Sequence, residues 1–312
     1  MLIDFCKAKK KKMYILFVDF SKAYDKLPHD KLIESLKRRG CGQMMLQAIQ
    51  AAYSNTCMIL KDTTISTNMG VRQGAPTSCR LFITYIDDFV KKLKASVDPD
   101  SFLGTLHTML LMDDMIIMAS DRERCLRQLE ILLEFCHESG MKLNSRKTLF
   151  MTINGDAHDR EPLLVDSTEI AYTRNYTYLG AYFDESGKPT RVIDAHTTKA
   201  TKHVDKLACF CHHHSRMPFK LKNQVFEAAL LSAVLYSSES WLTNNVQGLE
   251  KQYHRALKAL LGVRTQSINL LCGMELAKPP IQAVISQRRI KFLRKFLAVG
   301  DAERPLSQVW AL

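Results

Sequence analysis

The chain has 312 residues, 46% hydrophobic and 24% charged, with 44 Lys and Arg against 32 Asp and Glu for a formal net charge of +12. That length and mixture are ordinary for a globular protein large enough for two cores, and they argue against a small disulfide-built scaffold. Nine cysteines in no framework spacing point to reduced thiols in an intracellular compartment, and no run approaches the roughly 20 apolar residues of a membrane span, so no membrane partner is expected.

In chain order, the Lys9–Lys12 run has two readings, a nuclear or nucleic-acid address and a solvated stretch before the first strand, of which the second is favoured and the first gives the only pointer to a nuclear location. Residues 13–18 form a continuous apolar run of strand length that ends in Asp19. A turn at 21–25 leads to a helix over 29–40, stopped by Gly40, and a second helix spans 43–53. A hairpin over 57–69 precedes a loop containing Gly70 and Gly74, whose flexible backbone can approach a ligand closely, with Gln73 between them as a hydrogen-bond donor. The helix over 80–95 carries Asp87 and Asp88 off its apolar stripe, so both are read as surface residues beside Lys91 and Lys92.

Residues 109–118 read as strand, tight turn, strand, with Asp113 and Asp114 at the tip. A helix over 121–139 ends at Gly140, and 141–151 returns as a strand. After a loop over 154–170 with a short strand at 162–166, residues 176–183 alternate as a hairpin and 184–189 turn into a helical half: 190–211, 219–238, 246–261 and 280–299. That half is basic, because residues 191–312 carry 18 Lys and Arg against 8 Asp and Glu while residues 1–190 carry 26 against 24. Its last helix places Ile290, Leu293 and Leu297 on one face with Arg288, Lys291 and Lys295 off it. A metal site is not expected in Cys209–His214, since no second ligand pair recurs at zinc spacing and consecutive histidines cannot all face one ion.

Two adjacent carboxylates between apolar runs are expensive, because an ionised carboxylate taken out of water costs several kcal/mol without a partner. They are either turn formers or, with Asp19 at the end of another buried strand, hard oxygen ligands for divalent cations.

Five stretches in this order resemble the palm motifs of a reverse transcriptase of the non-LTR, LINE-like retrotransposon family: Phe17–His29 (FVDFSKAYDKLPH), Gly70–Ser78 (GVRQGAPTS), Leu111–Asp114 (LMDD), Gly140–Thr148 (GMKLNSRKT) and Tyr178–Gly180 (YLG). The resemblance implies an α+β fold: a polymerase palm, an antiparallel sheet with helices packed on one face, in residues 1–188 with most of the fingers missing, then a helical, basic, thumb-like domain in 189–312. It implies an RNA template, a DNA primer and dNTPs as partners, with no oligomeric state indicated. Two Mg²⁺ ions, or Mn²⁺, would be held by Asp19, Asp113 and Asp114, with Lys147 protonating the leaving pyrophosphate. Tyr24, Phe20, Gln73 and Gly74 would line the nucleotide pocket, Tyr24 against a 2′-hydroxyl; Arg72, Tyr178, Leu179 and Gly180 would meet template and primer. The sequence departs from the family at Cys79-Arg80, which brings the start of that helix into question, and at Leu111, where an aromatic residue is usual. A catalytically inactive nucleic-acid-binding remnant is therefore the alternative, and an RNA-dependent RNA polymerase on the same palm is a further one that Tyr24 argues against.

Overall fold

A computed structural model describes residues 2–298 apart from 55, 56, 62, 73, 101, 102, 105 and 242. It divides into two compact units, Cys6–Arg174 and Asn175–Ala311 with Met1–Phe5, each with its own hydrophobic core.

The chain opens with a helix not expected from the sequence, α1 (Leu2–Lys9). After a left-handed Lys10 it enters β1 (Met13–Val18), all six residues of which are buried. The continuous apolar run is explained by position: β1 is central and both its faces are covered. It pairs antiparallel with β5 (Asp114–Ala119) on one side and β6 (Leu149–Ile153) on the other. With β4 (Thr108–Leu111), β7 (Leu163–Val165) and β8 (Thr168–Tyr172), these make a six-stranded sheet of order β4-β5-β1-β6-β8-β7, antiparallel except for the β6–β8 pair. A separate small hairpin joins β2 (Cys57–Leu60) to β3 (Thr63–Ser66).

Tyr14, Leu16, Val18, Met115, Ile117 and Phe150 share one core with residues of α2 (His29–Arg38), α3 (Gln43–Tyr53), α4 (Pro76–Ser96) and α5 (Arg122–Ser139). The fold is thus α+β with a mainly antiparallel sheet, as expected, although the opposite face is covered too: Met13, Ile15, Phe17, Ile116, Met151 and Ile153 are all buried. Helix α5 has legible ends, Asp121 accepting a hydrogen bond from the Arg124 backbone N–H at 2.8 Å and Gly140 closing it at φ 74°. Helix α4 begins at Pro76, so Cys79 and Arg80 lie inside it and do not disturb its start; proline at the first helical position loses no hydrogen bond.

Two expectations are corrected here, and the basic run, exposed as the favoured reading has it, gains partners at its end. Asp87 and Asp88 do not simply face water: the Arg39 guanidinium spans both at 2.6 and 2.5 Å, and the Ser35 hydroxyl and Arg38 also reach Asp88, so the pair ties α4 to the end of α2. Residues 141–151 are not one strand, since regular pairing starts only at Leu149. Lys12, at the end of the basic run, is anchored by Asp156 at 2.9 Å and Asp159 at 2.7 Å; Asp159 also accepts the buried Tyr14 hydroxyl.

In the second unit, β9 (Asn175–Tyr178) and β10 (Ala181–Asp184) form a two-stranded sheet of their own. The sequence reading placed this hairpin before the domain boundary. It groups instead with the helices, because it makes no ladder with the large sheet while Tyr236 of the same unit donates to the Leu179 carbonyl at 2.7 Å. The helices are α6 (Pro189–His213), α7 (Phe219–Val225), α8 (Ser232–Val234), α9 (Gln247–Leu261), α10 (Asn269–Glu275) and α11 (Ile281–Leu297). The expected helix over 219–238 is interrupted by a π-helical stretch, Phe226–Leu231, which sinks Phe226 and Leu230 into the core. On α11 the expected apolar face is not the buried one. Ile290 and Leu293 are exposed, whereas Arg288 and Arg289 turn inward to the Leu235 and Thr243 carbonyls at 2.7 and 2.6 Å. In Cys209–His214, Cys211 is buried and Cys209 lies beside His213 one turn on, 3.4 Å away. Among the described residues no helix is long and apolar enough to cross a membrane.

Candidate active site

Register brings the three aspartates of the sheet unit together. Val18 of β1 stands opposite Met115 of β5, so one step further along each strand Asp19 comes level with Asp114. On the other side of β5, Asp114 faces Leu111 across a two-residue turn made of Met112 and Asp113, with Met112 at φ 59°. The tip is therefore Met112–Asp113, one residue earlier than expected, and Asp114 already belongs to the strand. A methionine held in the left-handed region costs about 1–2 kcal/mol, which the flanking ladder sustains.

The electrostatics agree with the register. The Asp114 carboxyl is raised above its ordinary value, first by partial desolvation and then by the negative charges of Asp113 and Asp19. Among the described residues, no three His, Cys, Asp or Glu side chains already stand in metal-ligating geometry. The chemistry of the donor set nevertheless fits a divalent cation. Three hard carboxylates drawn from adjacent strands repel one another, and a bound cation relieves that repulsion.

Asp19 is gripped by the chain after Gly140. Phe20 bridges to Leu143, and then residues 144–148 loop out as a turn, with the backbone N–H groups of Lys147 and Thr148 both donating to the Asn144 carbonyl. The Asn144 backbone N–H donates to the Asp19 carbonyl at 2.8 Å, and its side-chain amide donates to Asp19 Oδ2 at 2.9 Å. The buried Thr148 hydroxyl accepts from the Asp19 N–H at 3.1 Å. Lys147 thus sits exposed on a turn beside Asp19 rather than on a strand. The contacts of Asn144 and Thr148 with Asp19 were not foreseen; the available signal was a pair of turn-forming side chains just before a buried strand.

Tyr24 packs its ring against Phe82 of α4, centroids 4.7 Å apart. Its hydroxyl is pushed up to about 12 by desolvation and by the nearby charges of Asp113 and Asp114, with Cys79 also contributing. So Tyr24 belongs to the same cluster as the tip aspartates. Phe20 does not present its ring to a ligand: it is buried in the core. The two loop glycines differ. At Gly70 (φ 92°) a Cβ would sit 3.0 Å from the Asp25 carbonyl oxygen, so the close approach is to the protein's own backbone, whereas Gly74 (φ 84°) has open space around it. Gln73 lies outside the described residues. The Arg72 guanidinium donates to the Ala52 carbonyl at 2.7 Å, at the end of α3, and lies 6.0 Å over the Tyr53 ring while staying exposed.

In the other unit Tyr178 ends β9, and Leu179 (φ 49°) and Gly180 (φ 79°) form the two-residue turn before Ala181. Both central residues are left-handed, as such hairpins require. A Cβ on Gly180 would come within 3.2 Å of the Tyr236 ring.

Residues 2–183 match the family model described as reverse transcriptase (RNA-dependent DNA polymerase). The chain is similar to a Retrovirus-related Pol polyprotein from type-1 retrotransposable element R2 of Nasonia vitripennis, 25% identical over 201 residues, covering 60% of this chain and 20% of that protein. A Pol polyprotein from type-2 retrotransposable element R2DM of Drosophila melanogaster is 26% identical over 189 residues, covering 56% and 18%. The chain thus spans about a fifth of the length of these relatives. Among solved structures, telomerase from Candida albicans with a fragment of telomeric RNA aligns with TM-score 0.41 and 13% identity, covering 100% of this chain and 52% of that one. With the match running through every motif from Asp19 to Gly180, this chain belongs to the reverse transcriptase (RNA-dependent DNA polymerase) family.

Proposed function

We propose that this chain is the polymerase core of a non-LTR retrotransposon protein, copying RNA into DNA by adding dNTPs to a primer 3′-hydroxyl. The observation that most supports this is the convergence of Asp19 with Asp113 and Asp114 at the ends of β1 and β5. On this reading the three carboxylates hold two Mg²⁺ ions, with Mn²⁺ as a substitute. When bound, such a pair activates the primer hydroxyl and neutralises charge on the leaving pyrophosphate.

The remaining work falls to the chain's own side chains. Tyr24, seated on Phe82, offers a rigid wall under the incoming sugar, and a 2′-hydroxyl would collide with it. Because its hydroxyl holds its proton to about pH 12, it stays neutral beside the carboxylates and adds no charge to them. Gly74 leaves room for the nucleotide where a Cβ would intrude, with Gln73 next to it as a donor. Lys147, exposed on the turn that grips Asp19, is the proton donor to the pyrophosphate. Arg72 is the template contact, while Tyr178, Leu179 and Gly180 serve the primer end.

RNA-templated primer extension by this chain and by its Asp113→Ala variant tests the reading, and equal incorporation by the two would sink it. A second reading, a non-catalytic binding remnant, is favoured by Leu111, an exposed aliphatic side chain directly opposite Asp114. It requires primer–template binding with no incorporation by the unmodified chain. Incorporation of NTPs in place of dNTPs would point to the RNA polymerase alternative.

A further inference from the structure

Four hydrogen bonds join one residue, Asp19, to one short turn. Two come from backbone or side chain of Asn144, at 2.8 Å to the Asp19 carbonyl and 2.9 Å to Oδ2. Two involve the Thr148 hydroxyl, which accepts from the Asp19 N–H at 3.1 Å and lies 3.3 Å from the Asp19 carbonyl as a donor. The ladder between β1 and β6 breaks for this purpose: Phe17 pairs with Leu149, but Phe20 pairs with Leu143, so two residues of the first strand stand against five of the second. A bulge of that size bends the strand and re-aims the side chains around it.

We infer that Asn144 is the positioning residue of the Asp19 carboxylate. Its amide occupies Oδ2 from the side of the turn, which fixes the rotation of the carboxylate at the end of β1, level with Asp114. The argument rests on the polymerase reading for what Asp19 does, and adds the group that orients it. A carboxylate next to two others would otherwise swing away from them, since like charges at close range favour separation. Outer partners that orient a ligating carboxylate typically govern metal affinity by about 10–100-fold. The function was not visible in the motif itself, where Asn144 sits among turn residues whose backbone alone would explain their presence.

Asn144→Ala isolates the side chain, because the backbone N–H to Asp19 and the turn closed on the Asn144 carbonyl both survive it. Binding of Mn²⁺ to the chain in the absence of nucleotide, followed by electron paramagnetic resonance, reads the site without turnover. The unmodified chain, Asn144→Ala, Thr148→Val and Asp19→Asn are compared, with thermal unfolding of each as the folding control. The expected result is Mn²⁺ affinity about 10–100-fold weaker in Asn144→Ala with an unchanged unfolding midpoint, and Mn²⁺ binding abolished in Asp19→Asn. If Asp19→Asn loses Mn²⁺ but Asn144→Ala binds like the unmodified chain, the positioning role is wrong and the polymerase reading stands. If Asp19→Asn and the unmodified chain bind alike, the reading of Asp19 as a ligand fails, and the positioning role with it. Should Asn144→Ala unfold early, Thr148→Val decides: it removes the hydroxyl's two contacts to the Asp19 backbone and keeps the amide, so a loss of Mn²⁺ affinity of the same size in a stably folded Thr148→Val would overturn a role particular to Asn144.

Discussion

Two Asp-Asp pairs stand 26 residues apart in this chain and have opposite fates. Asp87 and Asp88 are met by the guanidinium of Arg39, with Arg38 and Ser35 adding to Asp88, so their charge is settled inside the protein and the result is a joint between α2 and α4. The Asp114 carboxyl is pushed up by partial desolvation and then by the charges of Asp113 and Asp19. The same dipeptide is a structural clamp where the fold supplies cations and a candidate cation site where it supplies more anions. Charge complementarity within the protein, not the presence of two aspartates, separates the cases.

The sharpest way to break this contrast is to remove one member of each pair. Asp113→Ala should reduce primer extension on the order of 10³-fold, the scale of losing a preorganised electrostatic group at a reacting centre. Its unfolding midpoint should stay the same or rise, since a repulsion is removed. Asp88→Ala should leave extension unchanged and cost about 2–3 kcal/mol in urea unfolding, because Arg39, whose side chain is 20% exposed, loses its closest partner. If Asp88→Ala abolished extension while Asp113→Ala merely destabilised, the two assignments would have to be exchanged.

A third carboxylate sharpens the comparison through pH. Asp159 is held down to about 2: burial alone would raise it, but hydrogen bonds from Lys12 and from the Tyr14 hydroxyl outweigh that. A carboxylate depressed on folding contributes stability that is complete above its unfolded value, near 3.8, and lost as pH falls toward 2. Asp114 has the opposite sign, being raised on folding, so its contribution disfavours the native state as pH rises through its folded value. Asp159→Asn should therefore cost on the order of 2 kcal/mol at pH 7 and nearly nothing at pH 2. Asp114→Asn should cost nothing at pH 7, or gain. Urea unfolding at the two pH values measures both, and a loss in Asp159→Asn that persists undiminished at pH 2 would show that packing, not ionisation, is at stake.

The contrast also marks how much could be read from the chain alone. The buried strand Met13–Val18, the strand–turn–strand around Asp113 and Asp114 to within one residue, Asp121 and Gly140 at the two ends of α5, and the hairpin around Leu179–Gly180 are local signals, and sequence carried them. What escaped depends on partners far away in sequence. Nothing near Asp87 announces Arg39, which reaches it from 48 residues earlier, and nothing in Asn144 announces that its amide will meet a carboxylate 125 residues before it. Likewise the inward turn of Arg288 and Arg289 on α11 follows from carbonyls at Leu235 and Thr243, not from the helical period, which set Ile290 and Leu293 on one apolar face with Arg288 off it. The π-helical stretch at Phe226–Leu231 shifts the period of its helix by a residue, and only the packing of Phe226 and Leu230 reveals it.

The smallest expected effect concerns Leu111, the side chain facing Asp114 where the family usually has an aromatic residue. Leu111 faces Asp114 across the hairpin and is 52% exposed, so Leu111→Tyr adds a ring at the surface without disturbing the core. Its effect on stability should lie within about 0.5 kcal/mol, as for most exposed substitutions. Its effect on extension should be a gain of several fold, because an aromatic face beside the tip can stack on the primer end, a contact of about 1–3 kcal/mol per base in single-strand binders. The gain should appear as a lower KM for primer–template with kcat little changed, since stacking holds the primer without touching the carboxylates. A rise in kcat alone would instead place Leu111 close enough to Asp113 and Asp114 to tune their charge, and the distinction drawn between the two aspartate pairs would then have to include the residue facing them.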